Sequence, residues 1–247
     1  MRLILLGTTG YHPNERRHTP CLLIPECGVM LDAGTATFRA GRYLETSELD
    51  VFLTHAHLDH VVGLTYLFSV LREHPLEAVR VHGEAEKLRA VREHLFAEAV
   101  FPVLPPCRFV PLAADVPLPG GGGRLTHFPL AHHGGSVGYR LDWPGHSLAY
   151  VTDTTAAPDA DYLEKIRGVR LLVHECYFPD AMAEWAQKTG HSHTTPVAQL
   201  ARAAGVGRLV LVHLDPCAAG PDPVGLDVAR AIFPNTDLGE DLMELEF

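Results

Sequence analysis

One stretch constrains this chain more than any other: Asp50-Val51-Phe52-Leu53-Thr54-His55-Ala56-His57-Leu58-Asp59-His60. Its first part is a short apolar run of the kind that forms a buried strand. Its second part puts four potential metal ligands, His55, His57, Asp59 and His60, within six positions. The segment therefore reads as a strand that gives out into a polar loop. In extended backbone, residues two apart point the same way, so His55 and His57 can grip one ion together. Asp59 and His60 follow where the backbone turns and can face a second ion. Imidazole and carboxylate are the donors that suit zinc and related divalent ions. The chain holds 16 His, so a chance cluster is the competing reading. The strand context and more distant partners weigh against it.

The rest of the chain alternates apolar runs with helical patterns. Strands are predicted at 2–6, 21–25, 28–32, 50–54, 78–82, 107–112, 124–130, 136–142, 147–152, 169–174 and 208–213. Helices are predicted at 35–44, 60–73, 84–98, 160–167, 179–188, 195–204 and 223–232, the sixth starting on Thr194 or Thr195 as N-cap with Pro196 in its first turn. Pro and Gly punctuate 102–123, which ends in Gly120-Gly121-Gly122-Gly123 and reads as a loop or lid. Short strands clustered before helices suggest two sheets covered by helices on the outside, in one domain spanning 1–247. A boundary at 102–123 is the alternative.

Three more candidate ligands sit where apolar strands end: His132, in Phe128-Pro129-Leu130-Ala131-His132-His133-Gly134; Asp153, after Leu148-Ala149-Tyr150-Val151-Thr152; and His213, after Leu209-Val210-Leu211-Val212. Strand ends are where sheet proteins place their sites. Alone, each reads as a cap or a surface residue. Together with the histidine-rich loop they read as a metal constellation.

Composition excludes several classes. The formal charge of −10 argues against broad attraction to nucleic acid or to an anionic membrane. No run of 18 apolar residues is present, so no membrane span is expected. Five Cys without a CxxC pair argue against a disulfide framework and for a reducing, cytoplasmic setting.

These motifs resemble those of the metallo-β-lactamase-fold hydrolases, over nearly the whole chain. The phosphodiesterase branch is the most similar: ribonuclease Z and the cyclic-phosphate phosphodiesterase of the carbon–phosphorus lyase pathway. Leu6-Gly7-Thr8-Thr9-Gly10 with Pro13, and Leu31-Asp32-Ala33-Gly34, match the opening of that branch. His55 to His60 matches its principal metal motif. His132 with Gly138-Tyr139, Asp153-Thr154, His174-Glu175, Gly190-His191-Ser192 and His213 match the later ones, with His193 where Thr is usual.

The resemblance implies an α/β fold, a four-layer αββα sandwich, with two divalent ions, zinc by default and manganese or iron as alternatives. It implies that His55, His57 and His132 hold one ion, that Asp59, His60 and His213 hold the other, and that Asp153 bridges. His132 is preferred to His133 by its spacing to Gly138-Tyr139. Asp32 is expected to order the metal loop. A metal-bridging hydroxide would attack phosphorus, with Asp59 orienting it, His191 protonating the departing alkoxide and Glu175 holding the His191 ring. His193 and His174 compete with His191 for that role. Of Tyr139 and Arg140, alternation lets at most one reach substrate.

The expected substrate is a small or cyclic phosphodiester. Ribonuclease Z carries a tRNA-gripping arm between its third ligand motif and its bridging Asp, and the twenty residues from His132 to Asp153 leave no room for one. The extra cysteine-rich zinc site of the cyclic-phosphate enzyme is not seen either; Cys21 and Cys27 read as core thiols. Lactone, thioester or other carboxylic ester hydrolysis, armless RNA-end processing, and metal binding without turnover are the rival functions. Family analogy suggests a homodimer.

Overall fold

Every apolar run named above forms a strand. The computed structural model describes residues 1–119 and 121–247. Its strands are β1 (Arg2–Gly7), β2 (Cys21–Ile24), β3 (Val29–Leu31), β4 (Glu48–Phe52), β5 (Ala78–Gly83), β6 (Arg108–Pro111), β7 (Asp115–Leu118), β8 (Gly123–Leu130), β9 (Ser136–Trp143), β10 (His146–Val151), β11 (Leu171–Glu175), β12 (Arg208–Val212), β13 (Thr236–Leu238) and β14 (Met243–Glu246). The α-helices are α1 (Leu58–Val61), α2 (Leu67–Glu73), α3 (Ala85–Ala90), α4 (Leu163–Ile166), α5 (Ala183–Thr189), α6 (Thr194–Ala204) and α7 (Leu226–Ile232). The chain divides into two compact units, Met1–Gly122 with Asp241–Glu246, and Gly123–Glu240 with Phe247.

The first unit is built on a seven-stranded mixed sheet in the order β14-β1-β2-β3-β4-β5-β6. Pairing is antiparallel from β14 to β3 and parallel from β3 to β6. Leu49, Val51 and Leu53 alternate toward one face, where they join Leu64, Leu67 and Val70 in a buried cluster. That burial fixes the register of β4 and delivers Thr54 to His60 at its C-terminal end, since a one-residue slip would turn every side chain over.

The second unit repeats the plan. Its strands run β13-β12-β11-β10-β9-β8, antiparallel from β8 to β10 and parallel from β10 to β13. Its core includes Ala149, Val151, Leu172, Leu209 and Leu211 from the strands, and Val197, Ala198, Leu200, Ala201 and Ala204 from α6. The α6 positions follow helical spacing, and the helix stops at Gly205 with a left-handed φ of 61°. Parallel strands β10 and β12 deliver Asp153 and His213 just past their C-terminal ends.

Two expectations are corrected. The N-cap of α6 is His193, not Thr194 or Thr195, and its side chain makes no cap bond. Asp180 caps the helix from outside, accepting from Thr195 N at 2.8 Å and from Thr195 Oγ1 at 2.5 Å. The stretch 102–123 is not merely a loop or lid, because it carries β7 as well as β6. Pro117 inside Asp115-Val116-Pro117-Leu118 masks that strand in the sequence. Gly120 lies outside the described residues. Among the described residues no helix is long and apolar enough to cross a membrane.

Candidate metal centre

In the first unit the ligand candidates are gathered by one buried carboxylate. Asp32 follows β3 and is fully buried. It accepts from Thr54 N at 2.8 Å, from Thr54 Oγ1 at 3.0 Å and from His60 Nδ1 at 2.8 Å. The bond to His60 puts the proton on Nδ1 and makes Nε2 the lone-pair nitrogen. That Nε2 lies 3.4 Å from Asp59 Oδ2. The Thr54 hydroxyl gives its proton to Asp32 and accepts from His55 Nδ1 at 3.0 Å, so His55 too offers Nε2. The rings of His55 and His57, and of His55 and His60, sit 4.3 Å apart. Asp59 is held by its backbone and side chain: Thr19 Oγ1 donates to Asp59 O at 2.8 Å, and Tyr11 N to Asp59 Oδ2 at 2.9 Å. The sequence placed Asp32 beneath the metal loop, and the structure finds it bonded there. It gave Thr54 no role, although the residue opens the motif.

In the second unit Asp153 is the hub. Its Oδ2 lies 3.5 Å from His132 Nε2 and its Oδ1 lies 3.3 Å from His213 Nε2. The Thr152 hydroxyl donates to Oδ1 at 2.6 Å. His132 donates from Nδ1 to Gly190 O at 3.1 Å, which again exposes Nε2. His133 is exposed and has no such bond to Asp153. Gly190 has φ of 74°, a left-handed conformation that favours glycine, and a Cβ there would crowd His132 Nδ1 at 3.3 Å.

Glu175, at the end of β11, organises this unit as Asp32 organises the first. It is fully buried and accepts from Thr154 N at 2.6 Å, Ser192 N at 3.0 Å and His191 Nδ1 at 3.2 Å. The His191 ring stacks on Tyr177 at 4.6 Å and lies 5.3 Å from the rings of His132 and His213. Ligand atoms of Asp153, His191 and His213 all fall within 4.8 Å of one another. The two competitors of His191 are otherwise engaged. His174 is fully buried, donates from Nδ1 to Glu175 O at 2.7 Å and meets the Tyr162 hydroxyl with Nε2 at 2.9 Å. Burial lowers its pKa and raises that of Tyr162. His193 bonds Asp180 at 2.7 Å. Tyr139 is a core residue, and Arg140 pairs with Asp142 at 2.8 Å, so neither is placed as a substrate group.

Asp32, Asp153 and His213 share a backbone signature that the sequence does not carry. All are non-glycine residues in the left-handed region, with φ of 57°, 53° and 55°. Such strain costs about 1 kcal/mol or more at each and gathers where function over-determines the backbone. Imidazole nitrogens with their lone pairs turned toward carboxylates, rather than toward donors, are the chemistry of a divalent-cation site.

The beta-lactamase superfamily domain matches residues 28–214. The chain belongs to that superfamily. A ribonuclease Z from Synechococcus sp. (strain CC9605) is 44% identical over 315 residues, covering 100% of this chain and 98% of the relative. The metallo-beta-lactamase fold protein YhfI from Bacillus subtilis superimposes with a TM-score of 0.80 at 18% identity, covering 99% of each chain. A diphosphatase of the PhnP family superimposes with a TM-score of 0.71 at 18% identity, over 100% of this chain and 97% of the other. The fold is the α/β sandwich of these proteins, and this superfamily member is a metal-dependent hydrolase of the phosphodiesterase type.

Proposed function

We propose that the two ligand clusters act together as a dinuclear centre that hydrolyses a small or cyclic phosphodiester. In this reading His55, His57, His132 and Asp153 hold one ion, and Asp59, His60 and His213 hold the other with Asp153 shared. The observation that carries it is the carboxylate of Asp153, whose two oxygens address two different histidines, His132 and His213. A bridging ligand needs that arrangement. Ions held there supply Lewis acidity, lowering the pKa of water toward neutrality and offsetting charge on phosphoryl oxygens. Zinc is the first choice of metal for this donor set, with manganese or iron as alternatives.

The chain's own groups divide the remaining work. Asp32 holds His60 directly, and His55 through Thr54, so that each would ligate through Nε2. Asp59, fixed by Thr19 and the Tyr11 amide, orients the attacking water. His191 gives its Nε2 proton to the departing alkoxide, with Glu175 fixing its Nδ1.

Small substrates are favoured by the connection between β9 and β10. Trp143 pairs directly with His146, so only Pro144 and Gly145 form the turn. A long RNA-gripping arm has no place between His132 and Asp153. The formal charge of −10 points the same way. The name of the cyanobacterial relative favours a second reading, processing of RNA ends.

One panel separates the readings. Protein loaded with zinc or manganese is assayed on a cyclic nucleotide, bis(p-nitrophenyl) phosphate, a 3′-extended transfer RNA, a lactone and a thioester. The expected result is turnover of the small phosphodiesters with little salt dependence, abolished by a chelator and restored by metal. Efficient cleavage of the RNA alone, falling steeply with salt, would move the assignment to the second reading. Turnover confined to lactone or thioester would end both.

A further inference from the structure

Asp241 lies far from the histidine-rich loop in sequence, yet it bonds the segment that holds Asp59. That segment is the connection from β1 to β2, residues 8–20. Its ends are drawn together, with Thr9 N donating to His18 O at 3.0 Å. Gly7 lets them close on the end of β1, since a Cβ there would fall 2.2 Å from Thr19 O and 2.8 Å from His18 O. Two groups of this closed segment reach Asp59. Tyr11 N donates to its carboxylate and Thr19 Oγ1 to its carbonyl. Tyr11 has a left-handed φ of 58°, a conformation that a non-glycine residue keeps only where its surroundings fix it. Thr19 is fixed in turn, its hydroxyl accepting from Thr35 N at 2.8 Å.

Asp241 ties both ends of the segment. Its side chain is 7% exposed. Oδ1 accepts from Thr8 Oγ1 at 2.8 Å, and Oδ2 accepts from His18 N at 2.8 Å and from Arg39 Nη1 at 2.6 Å. Arg17 Nη1 donates to Thr8 Oγ1 at 2.6 Å, so a cation of the segment backs the same contact. Arg39 Nη1 also donates to Leu6 O at 2.5 Å, which anchors the group to β1. Bonds to an ionised carboxylate are strong, and only a carboxylate has two acceptor oxygens for these three donors. An amide at this position keeps one acceptor and turns a donor toward the rest.

We infer that Asp241 is a positioning residue for Asp59: it holds the 8–20 segment closed, and the segment holds Asp59 in the orientation its ion requires. The inference rests on the reading in which Asp59 is a ligand. Outer partners of this kind fix a ligand before the ion arrives. The two ions should therefore respond differently to loss of Asp241, because His55 takes its orientation from Thr54 and Asp32 instead.

The test is Asp241→Asn, read by competitive zinc titration against a chromogenic chelator. Asp59→Ala marks which of the two ions Asp59 holds. In Asp241→Asn the affinity for that ion is expected to fall about tenfold, with the other ion within about twofold of the unmodified protein. Asp50→Asn loosens the same unit away from the segment and should weaken neither ion. Equal weakening of both ions, no weakening, or the same selective loss in Asp50→Asn would overturn the proposal. Thr8→Val removes one bond to Asp241 with little change of shape, and it carries the test if Asp241→Asn does not fold. The same ion should then weaken by a smaller factor. Amide exchange at Tyr11 in the metal-free protein gives a readout independent of the ions. Protection there is expected to drop about tenfold or more in Asp241→Asn. If the unmodified protein binds fewer than two ions, the dinuclear reading fails, and exchange still decides whether Asp241 holds the segment on Asp59. Unchanged protection removes Asp241 from that role.

Discussion

Asp32 and Glu175 occupy matching places in the two units. Each is fully buried at the end of a parallel strand run, each accepts a backbone N–H from the segment after the next ligand-bearing strand or loop, and each accepts Nδ1–H of one histidine. The histidines differ. The His60 side chain is 0% exposed, and that of His191 is 14% exposed. A histidine sealed beneath its loop can only present a fixed lone pair. A histidine that reaches solvent at one edge can also exchange a proton. In our reading the same carboxylate–imidazole unit serves to hold a metal ligand in one unit and a proton donor in the other.

The sharpest way to break this comparison is His191→Ala. Turnover of alkyl phosphodiesters, which have poor leaving groups, is expected to fall about 10²- to 10³-fold, with little loss for p-nitrophenyl esters. Metal content, measured by atomic emission, should not change. His191 also lies within ligand distance of Asp153 and His213. Loss of an ion in this variant, with equal rate losses across leaving groups, would make it a ligand and erase the distinction drawn above.

Next in size is the pair Asp32→Asn and Glu175→Gln. Asp32→Asn is expected to weaken metal affinity about 10- to 100-fold, as loss of a ligand-orienting partner does, with rates recovering at saturating metal. Glu175→Gln should leave metal affinity nearly unchanged and lower kcat at every metal concentration. Competitive titration against a chromogenic chelator reads the first effect, and steady-state rates at saturating metal read the second. Similar affinity losses in both variants would mean that the two carboxylates do one job.

Much of this was legible in the sequence, and the exceptions have physical causes. Four of the candidate ligands were visible because they crowd one loop, and three because apolar runs such as Leu209-Val210-Leu211-Val212 stop at a single polar residue. Strands β13 and β14 were missed. Thr236-Asp237-Leu238 has no apolar run, and in Met243-Glu244-Leu245-Glu246 the alternation was present but short. The choice among His174, His191 and His193 was not legible, because it depends on burial and on partners distant in the chain. His174 and Glu175 are sequence neighbours that point to opposite faces of β11, so one imidazole is sealed against Tyr162 while the adjacent carboxylate reaches the centre. The left-handed φ values at Asp32, Asp153 and His213 leave no trace in residue type, since an orienting carboxylate and two candidate ligands occupy positions that would otherwise favour glycine.

The smallest expected effect on turnover comes from a third buried carboxylate, Asp50, which resembles the other two in its bonding but has no candidate ligand beside it. It accepts from Arg80 Nε at 2.6 Å and from His82 Nε2 at 2.7 Å, and His82 stacks on Phe52 at 4.4 Å. Burial alone would raise its pKa, but the bonds from Arg80 and His82 outweigh burial and hold it at about 2, against an ordinary 3.8. A depressed carboxylate pKa stabilises the folded state above the unfolded value, and that contribution disappears as pH falls through the folded one. Asp50 is therefore expected to contribute about 2 kcal/mol above about pH 4 and progressively less down to about pH 2. Unfolding free energies from urea titrations of the unmodified chain and Asp50→Asn should differ by that amount at pH 7 and converge by about pH 2. Turnover at pH 7 by the folded variant should match that of the unmodified protein. A large loss of metal or activity in Asp50→Asn would show that carboxylates beneath the first sheet's ligand loop act as one network, and Asp32 would lose its separate role.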